Sequence, residues 1–206
     1  EPELMSDPHY SERHWRFIGE SLRDMNRQLS HLNCHIHVFQ SEMVTLLSSL
    51  HTTYRISAIY SHEETGLQRS FERDKALATF ASANHIAWHE SPSNGIQRGR
   101  RNRKGWNRRW RGLMDAPQAR PDLSRMQPVH FDTSGDLGDL LLRRDAAPWA
   151  NVDTRFQAGG PTAAKQWLDS FFEDRGRRYH QSVSSPLQSR IHCSRLSPYL
   201  AWGNLS

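Results

Sequence analysis

The chain has 206 residues, enough for one or two domains. With 36% hydrophobic residues and a mean hydropathy of −0.79 it is polar for a compact globule, which implies a long linker or a surface made for a partner. It has no apolar run long enough to cross a bilayer, which excludes a helical membrane protein. Twenty-seven Lys and Arg against 22 Asp and Glu give a net charge of +5 and a pI near 9.6, a balance that favours polyanionic partners. The two cysteines, Cys34 and Cys193, form no disulfide framework and fit a reduced, cytoplasmic setting. No signal peptide is apparent and the first residue is not Met, so a piece of a longer protein is expected.

Taken in order, residues 1–8 read as a loop. From Tyr10 to about Leu32 apolar residues recur at helical spacing (Trp15, Ile18, Leu22, Met25, Leu29), with Ser11 as the candidate cap. His35–Phe39 reads as a short strand, 43–50 as a helix, 56–60 as a strand, 66–83 as a helix and 86–89 as a third strand. Strands alternating with helices at this spacing predict βαβ units and a parallel, Rossmann-like sheet flanked by helices. Ligands of such sheets bind at the carboxyl ends of the strands. The segment there, Ser61-His62-Glu63-Glu64-Thr65-Gly66, is either a polar loop capping the next helix or a ligand rim. His35 and His37 share one face of the expected strand, but no further metal ligands accompany them.

Residues 98–111 are the most basic stretch. Eight Arg and Lys (98, 100, 101, 103, 104, 108, 109, 111) interleave with Trp106 and Trp110, and no acid interrupts them. The stretch either grips nucleic-acid phosphates and bases or forms a solvated loop and short helix whose two indoles pack inward. From Ala116 to about Gln157, Pro117, Pro121, Pro128 and Pro148 punctuate a linker-like segment in which only 137–142 is apolar. Gly159-Gly160-Pro161-Thr162 then opens a helix to about Arg175, with Ala163, Trp167, Leu168 and Phe171 or Phe172 inward.

The chain closes on Ser194-Arg195-Leu196-Ser197-Pro198-Tyr199-Leu200, then Gly203. Ser197 is expected to cap a helix beginning at Pro198. Its free N–H groups, with the hydroxyls of Ser194 and Ser197, predict either a plain capped helix or an anion site suited to phosphate.

The wording of this stretch resembles the flavin-phosphate loop of the DNA photolyase/cryptochrome family, with Tyr179 standing where the family has a further flavin contact. Cys193 replaces the family's usual Thr, and Val183-Ser184-Ser185-Pro186 departs from its Arg and Asn before the Pro. Tyr10–Phe17, His62–Gly66, Phe71–Asp74, Asn94–Ile96 and Gly105–Trp106 resemble phrases of the family's N-terminal antenna domain, in the same order. The family's opening strand is absent. The resemblance implies an incomplete α/β antenna-type domain over 1–115, an interdomain linker over 116–158, and the beginning of an all-helical FAD-binding domain over 159–206. It assigns FAD contacts to Tyr179, Cys193, Ser194, Arg195, Leu196 and Ser197, and no catalytic or metal-binding residue. It implies light-driven splitting of pyrimidine dimers in UV-damaged DNA by electron transfer from reduced FAD, in a parent protein that is monomeric and carries a folate or deazaflavin antenna chromophore. The catalytic part is expected beyond Ser206, and the fragment alone is expected to be inactive. The alternative within the same family is a cryptochrome, a blue-light receptor that signals through a partner.

Overall fold

A computed structural model describes residues 1–93, 95–132, 136–142 and 153–206. Along the chain run α1 (Pro2–Met5), α2 (Glu12–Leu29), α3 (Met43–Tyr54), β1 (Ala58–His62), α4 (Gln68–Ala83), β2 (Ala87–Ser91), α5 (Trp106–Met114), α6 (Asp136–Leu140), α7 (Pro161–Glu173), α8 (Tyr179–Ser182), α9 (Pro186–His192) and α10 (Ser197–Ala201). They form two compact units that interleave in sequence: Glu1–Asp7 with Val38–Leu142, and Pro8–His37 with Arg143–Ser206. Helix α2 therefore groups with the C-terminal helices. Asn94 and Pro148, named above in the antenna phrases and the linker, lie outside the described residues, as do 133–135 and the rest of 143–152.

In the first unit, β1 and β2 pair in parallel from Ala58↔Ala87 to His62↔Ser91, joined by α4. This is the expected βαβ arrangement. Helix α4 packs on β2 and on α3, and the buried apolar residues of the unit include Leu47, Leu77, Ala81, Ile86 and Leu137. Across the ladder, Tyr60 stacks on His89 at 4.8 Å, and the Trp88 indole N–H donates to Ser61 Oγ at 3.0 Å.

The expected strand at His35–Phe39 does not form. The side chain of Asn26 takes the place of a ladder, accepting from the Ile36 N–H at 2.6 Å and donating to the Ile36 carbonyl at 3.4 Å. Only Phe39 enters a bridge, antiparallel to Leu141, where Gln40 N–H donates to Leu140 O and Leu142 N–H to Val38 O. His35 and His37 belong to no cluster of metal-ligating residues among the described residues.

The second unit is built on α2 and α7. Phe17 of α2, Ala164 of α7 and Tyr199 of α10 form its core, with Ala163, Trp167, Leu196 and Leu205 around it. Two carboxylates of α2 set where α7 begins. Glu20 accepts the Gly159 N–H at 2.6 Å. The nearly buried Asp24 accepts from the Thr162 N–H at 2.8 Å and the Thr162 hydroxyl at 3.0 Å, so it caps α7 from outside the helix. A Cβ on Gly159 would lie 2.0 Å from the Phe17 carbonyl oxygen, and one on Gly160, at φ +111°, 2.7 Å from Asp24. Gly159 therefore lets backbone meet backbone and Gly160 admits the Asp24 side chain, and Pro161 follows at the first helical turn, where its missing N–H costs nothing.

At the head of α2, Ser11 sits at the cap position, and His14 Nδ1 accepts the Ser11 N–H at 3.0 Å.

Asp24→Ala removes the cap of α7 and should lower the unfolding free energy by about 1–2 kcal/mol in urea denaturation. Gly160→Ala adds left-handed strain to a steric overlap and should cost more, about 3 kcal/mol.

Candidate functional site: the 193–197 loop

Helix α9 ends at Cys193, a free and half-buried thiol. Arg195 then adopts φ +56°, in the left-handed region, and Leu196 returns to right-handed values (φ −86°, ψ −12°) before α10. The helix begins at Ser197 itself, so Ser197 is its first residue, and the cap position falls to Leu196, which has no side-chain cap. This corrects the expected Ser197 cap. A five-residue helix also adds little dipole, so any anion-binding capacity rests on the loop.

Two side chains from elsewhere in the unit hold that loop. The Arg175 guanidinium, following α7, donates to the carbonyls of Cys193 at 2.7 Å, Ile191 at 3.3 Å and Ser194 at 3.4 Å. It also donates to Trp167 O at 2.8 Å and Ser170 Oγ at 3.0 Å. Gln157 Nε2 donates to Arg195 O at 2.9 Å. A trans peptide points its N–H opposite to its carbonyl. Holding the carbonyls of 193, 194 and 195 therefore turns the N–H groups of Ser194, Arg195 and Leu196 away from those donors. Among the described residues, the backbone N–H groups of 194–197 and the hydroxyls of Ser194 and Ser197 have no protein partner. Successive amides in left- then right-handed conformation form the concave donor array that suits an anion.

The electrostatics have the same sign. Arg175 and Arg195 lie 4.4 and 5.2 Å from the Trp167 ring centroid. Neither has a carboxylate partner among the described residues. Burial and the charge of Arg195 hold the Arg175 guanidinium below its usual range. Beneath the loop, fully buried Tyr199 donates to Ala158 O at 2.8 Å and packs on Phe17 at 5.3 Å.

Of the six residues named from sequence, Cys193, Ser194, Arg195, Leu196 and Ser197 are consecutive on this loop. Tyr179 is half-exposed at the start of α8, with its ring edge-on to Phe171 of α7 at 5.9 Å. Tyr179 and the loop thus share α7 as a support. Arg175 and Gln157 were not singled out from the sequence. Arg175 stands in the run Arg-Gly-Arg-Arg, whose local pattern gives no sign of which guanidinium turns inward.

The two other candidates resolve differently. In the 62–66 loop, Glu64 accepts the N–H groups of Thr65 and Gly66 at 2.8 and 2.5 Å, which is turn chemistry. Arg73 pairs with Glu1 at 3.1 Å, Asp74 at 3.0 Å and Glu64 at 3.7 Å, and Arg98 with Asp74 at 3.0 Å and with Glu90. These carboxylates are used in ion pairs. In the basic stretch, Trp106 and Trp110 of α5 stack on each other at 5.9 Å, with Arg103 over Trp106 at 5.4 Å. The inward packing is not realised: α5 has no buried residue, and Trp110, Leu113 and Met114 lie beside the turn at Gly95.

Comparison with known proteins agrees with the fold. Residues 2–98 match the DNA photolyase family model. No curated protein matches the chain. Among solved structures, a bacterial class III photolyase from Agrobacterium tumefaciens superposes with a TM-score of 0.70 at 20% identity, over 98% of this chain and 43% of its own. An archaeal photolyase from Sulfolobus tokodaii, solved with two FAD molecules, gives a TM-score of 0.69 at 18% identity, over 98% of this chain and 44% of its own. The chain thus spans less than half the length of these two photolyases.

Burial holds the Tyr199 phenol above its ordinary value of 10.0. The stability this gives is complete below the unfolded value and is lost as pH rises through it toward the folded one. Urea midpoints should therefore fall above about pH 10, and Tyr199→Phe should flatten that fall while costing about 1 kcal/mol at neutral pH. The sequence match over residues 2–98 and the superpositions together give the chain the photolyase fold over the part of those proteins that it spans.

Proposed function

We propose that this chain is the N-terminal part of a flavin-dependent DNA repair lyase that splits UV-induced pyrimidine dimers under blue light, and that its 193–197 loop holds the diphosphate of FAD. The observation that carries the reading is the loop itself: unpartnered amides at 194–197, two free serine hydroxyls and two cations without carboxylates, in a photolyase fold. That donor set fits a diphosphate and would suit neither a cationic nor an apolar ligand.

In this reading the amides of Ser194–Ser197 and the hydroxyls of Ser194 and Ser197 bind phosphate oxygens. Arg195 supplies charge, and Tyr179 lies against the ribityl side. Cys193, a weaker donor than threonine, makes the least contribution. Reduced flavin, when bound and excited, supplies the electron that opens the cyclobutane ring. The dimer must leave the helical stack to reach it, which a damaged pair does at lower cost. Residues 1–115 serve as the antenna-type domain, for a folate or deazaflavin, although Pro8–His37 group with the C-terminal helices; 116–158 serve as the linker and 159–206 as the opening of the FAD-binding domain. UV-damaged DNA is the partner of a monomeric, cytoplasmic protein. The described residues include no helix long and apolar enough to cross a membrane.

The test uses the full-length protein purified in the dark. A flavin absorption band near ~450 nm, with blue-light-dependent loss of thymine dimers from an oligonucleotide, is the expected result. Flavin without repair of cyclobutane or (6-4) photoproducts would replace the lyase with a cryptochrome-type receptor. No flavin after addition of FAD would overturn the cofactor assignment.

A further inference from the structure

Among the described residues Arg175, like Arg100, makes several hydrogen bonds and none to a carboxylate. Arg73 and Arg98 each pair with at least two carboxylates. The Arg175 side chain spends its donors on neutral oxygens: four backbone carbonyls and one serine hydroxyl. Three of those carbonyls belong to Ile191, Cys193 and Ser194, the run that leads into the left-handed turn at Arg195.

We propose that Arg175 is the positioning residue of the anion loop: by gripping the carbonyls of 191, 193 and 194 it aims the amides of the loop at a diphosphate, without touching the ligand itself. The inference rests on the cofactor reading above and adds to it a residue outside the loop. The peptide geometry gives the direction of the effect, because each carbonyl drawn to Arg175 sends the next N–H the other way. The guanidinium is needed for its shape, a planar fork with five donors. A lysine keeps the charge but offers three donors from one point and cannot span carbonyls three residues apart while also bonding Trp167 O and Ser170 Oγ. The charge has a second effect. Arg175 and Arg195 both lie against Trp167 with no carboxylate partner among the described residues, so the loop stays electropositive until an anion arrives.

The test titrates inorganic pyrophosphate into the purified chain and follows the backbone amide resonances of residues 194–197, for the wild type, Arg175→Lys and Arg195→Met. Unfolding midpoints are measured without ligand. The wild type should show shifts at these amides. Arg175→Lys should displace the same resonances in the free state, weaken pyrophosphate at least tenfold (about 1.4 kcal/mol) and leave the unfolding midpoint near that of the wild type. Arg195→Met should also weaken binding and reduce its salt dependence, but leave the free-state amides of Ser194 and Leu196 in place. Wild-type affinity in Arg175→Lys overturns the proposal while the cofactor reading stands. A collapsed midpoint in Arg175→Lys also overturns it, since the residue would then only join α7 to α9. No pyrophosphate response in the wild type overturns the cofactor reading, and the proposal with it.

Discussion

The C-terminal unit depends on the grip of α2 on the Gly159–Thr162 turn. Glu20 and Asp24 accept the backbone N–H groups of Gly159 and Thr162. Each such charge-assisted bond is worth about 1.5–3 kcal/mol, and without the α7 turn the carboxylate of Asp24, 2% exposed, would keep its ion pair with Arg27 but lose both bonds to Thr162. The grip places the first turn of α7, and a helix is stiff enough to carry that placement along its length. Trp167 and Phe171 then stand where Arg175 and Tyr179 can pack on them. The 193–197 loop is thus oriented by a contact made several elements away.

Arginine charge is used in opposite ways at the sheet of the first unit and at the 193–197 loop of the second. In the first, the acids near the carboxyl end of the sheet are matched by arginines: Glu1, Glu64 and Asp74 by Arg73, Asp74 and Glu90 by Arg98. Mutual neutralisation leaves little field for a ligand. In the second, Arg175 and Arg195 have no such match among the described residues. Cations left uncompensated in this way keep the loop electropositive.

Much of this organisation was legible in the sequence, for physical reasons that differ by element. Helices α2 and α7 were found because their apolar residues repeat at helical spacing, and Gly159-Gly160-Pro161 marked a helix start because only glycine permits so close a backbone approach. The loop was found through the wording of Ser194–Leu200. The strand at His35–Phe39 was misread because alternation reports only a preference for extended backbone. Whether a ladder forms depends on a partner strand, and here the side chain of Asn26 supplies the hydrogen bonds instead. The one-residue shift at Ser197 has a similar origin, since serine is common both at a cap and in the first turn. Arg175 could not be read at all: its role comes from a fold that brings it to carbonyls 16 to 19 residues further on.

The interleaving of the two units has a consequence for the birth of the protein. Asp24 and Thr162 are 138 residues apart in sequence. At a translation speed of about 5–20 residues per second, α2 leaves the ribosome on the order of 10 seconds before the helix it must hold. Through that interval Phe17 lacks Ala164 of α7, its partner in the core, while the sheet unit, most of it encoded by the continuous run Val38–Leu142, can complete itself first. The nascent chain therefore carries an amphipathic helix waiting for its mate, a natural client for a chaperone at the exit tunnel.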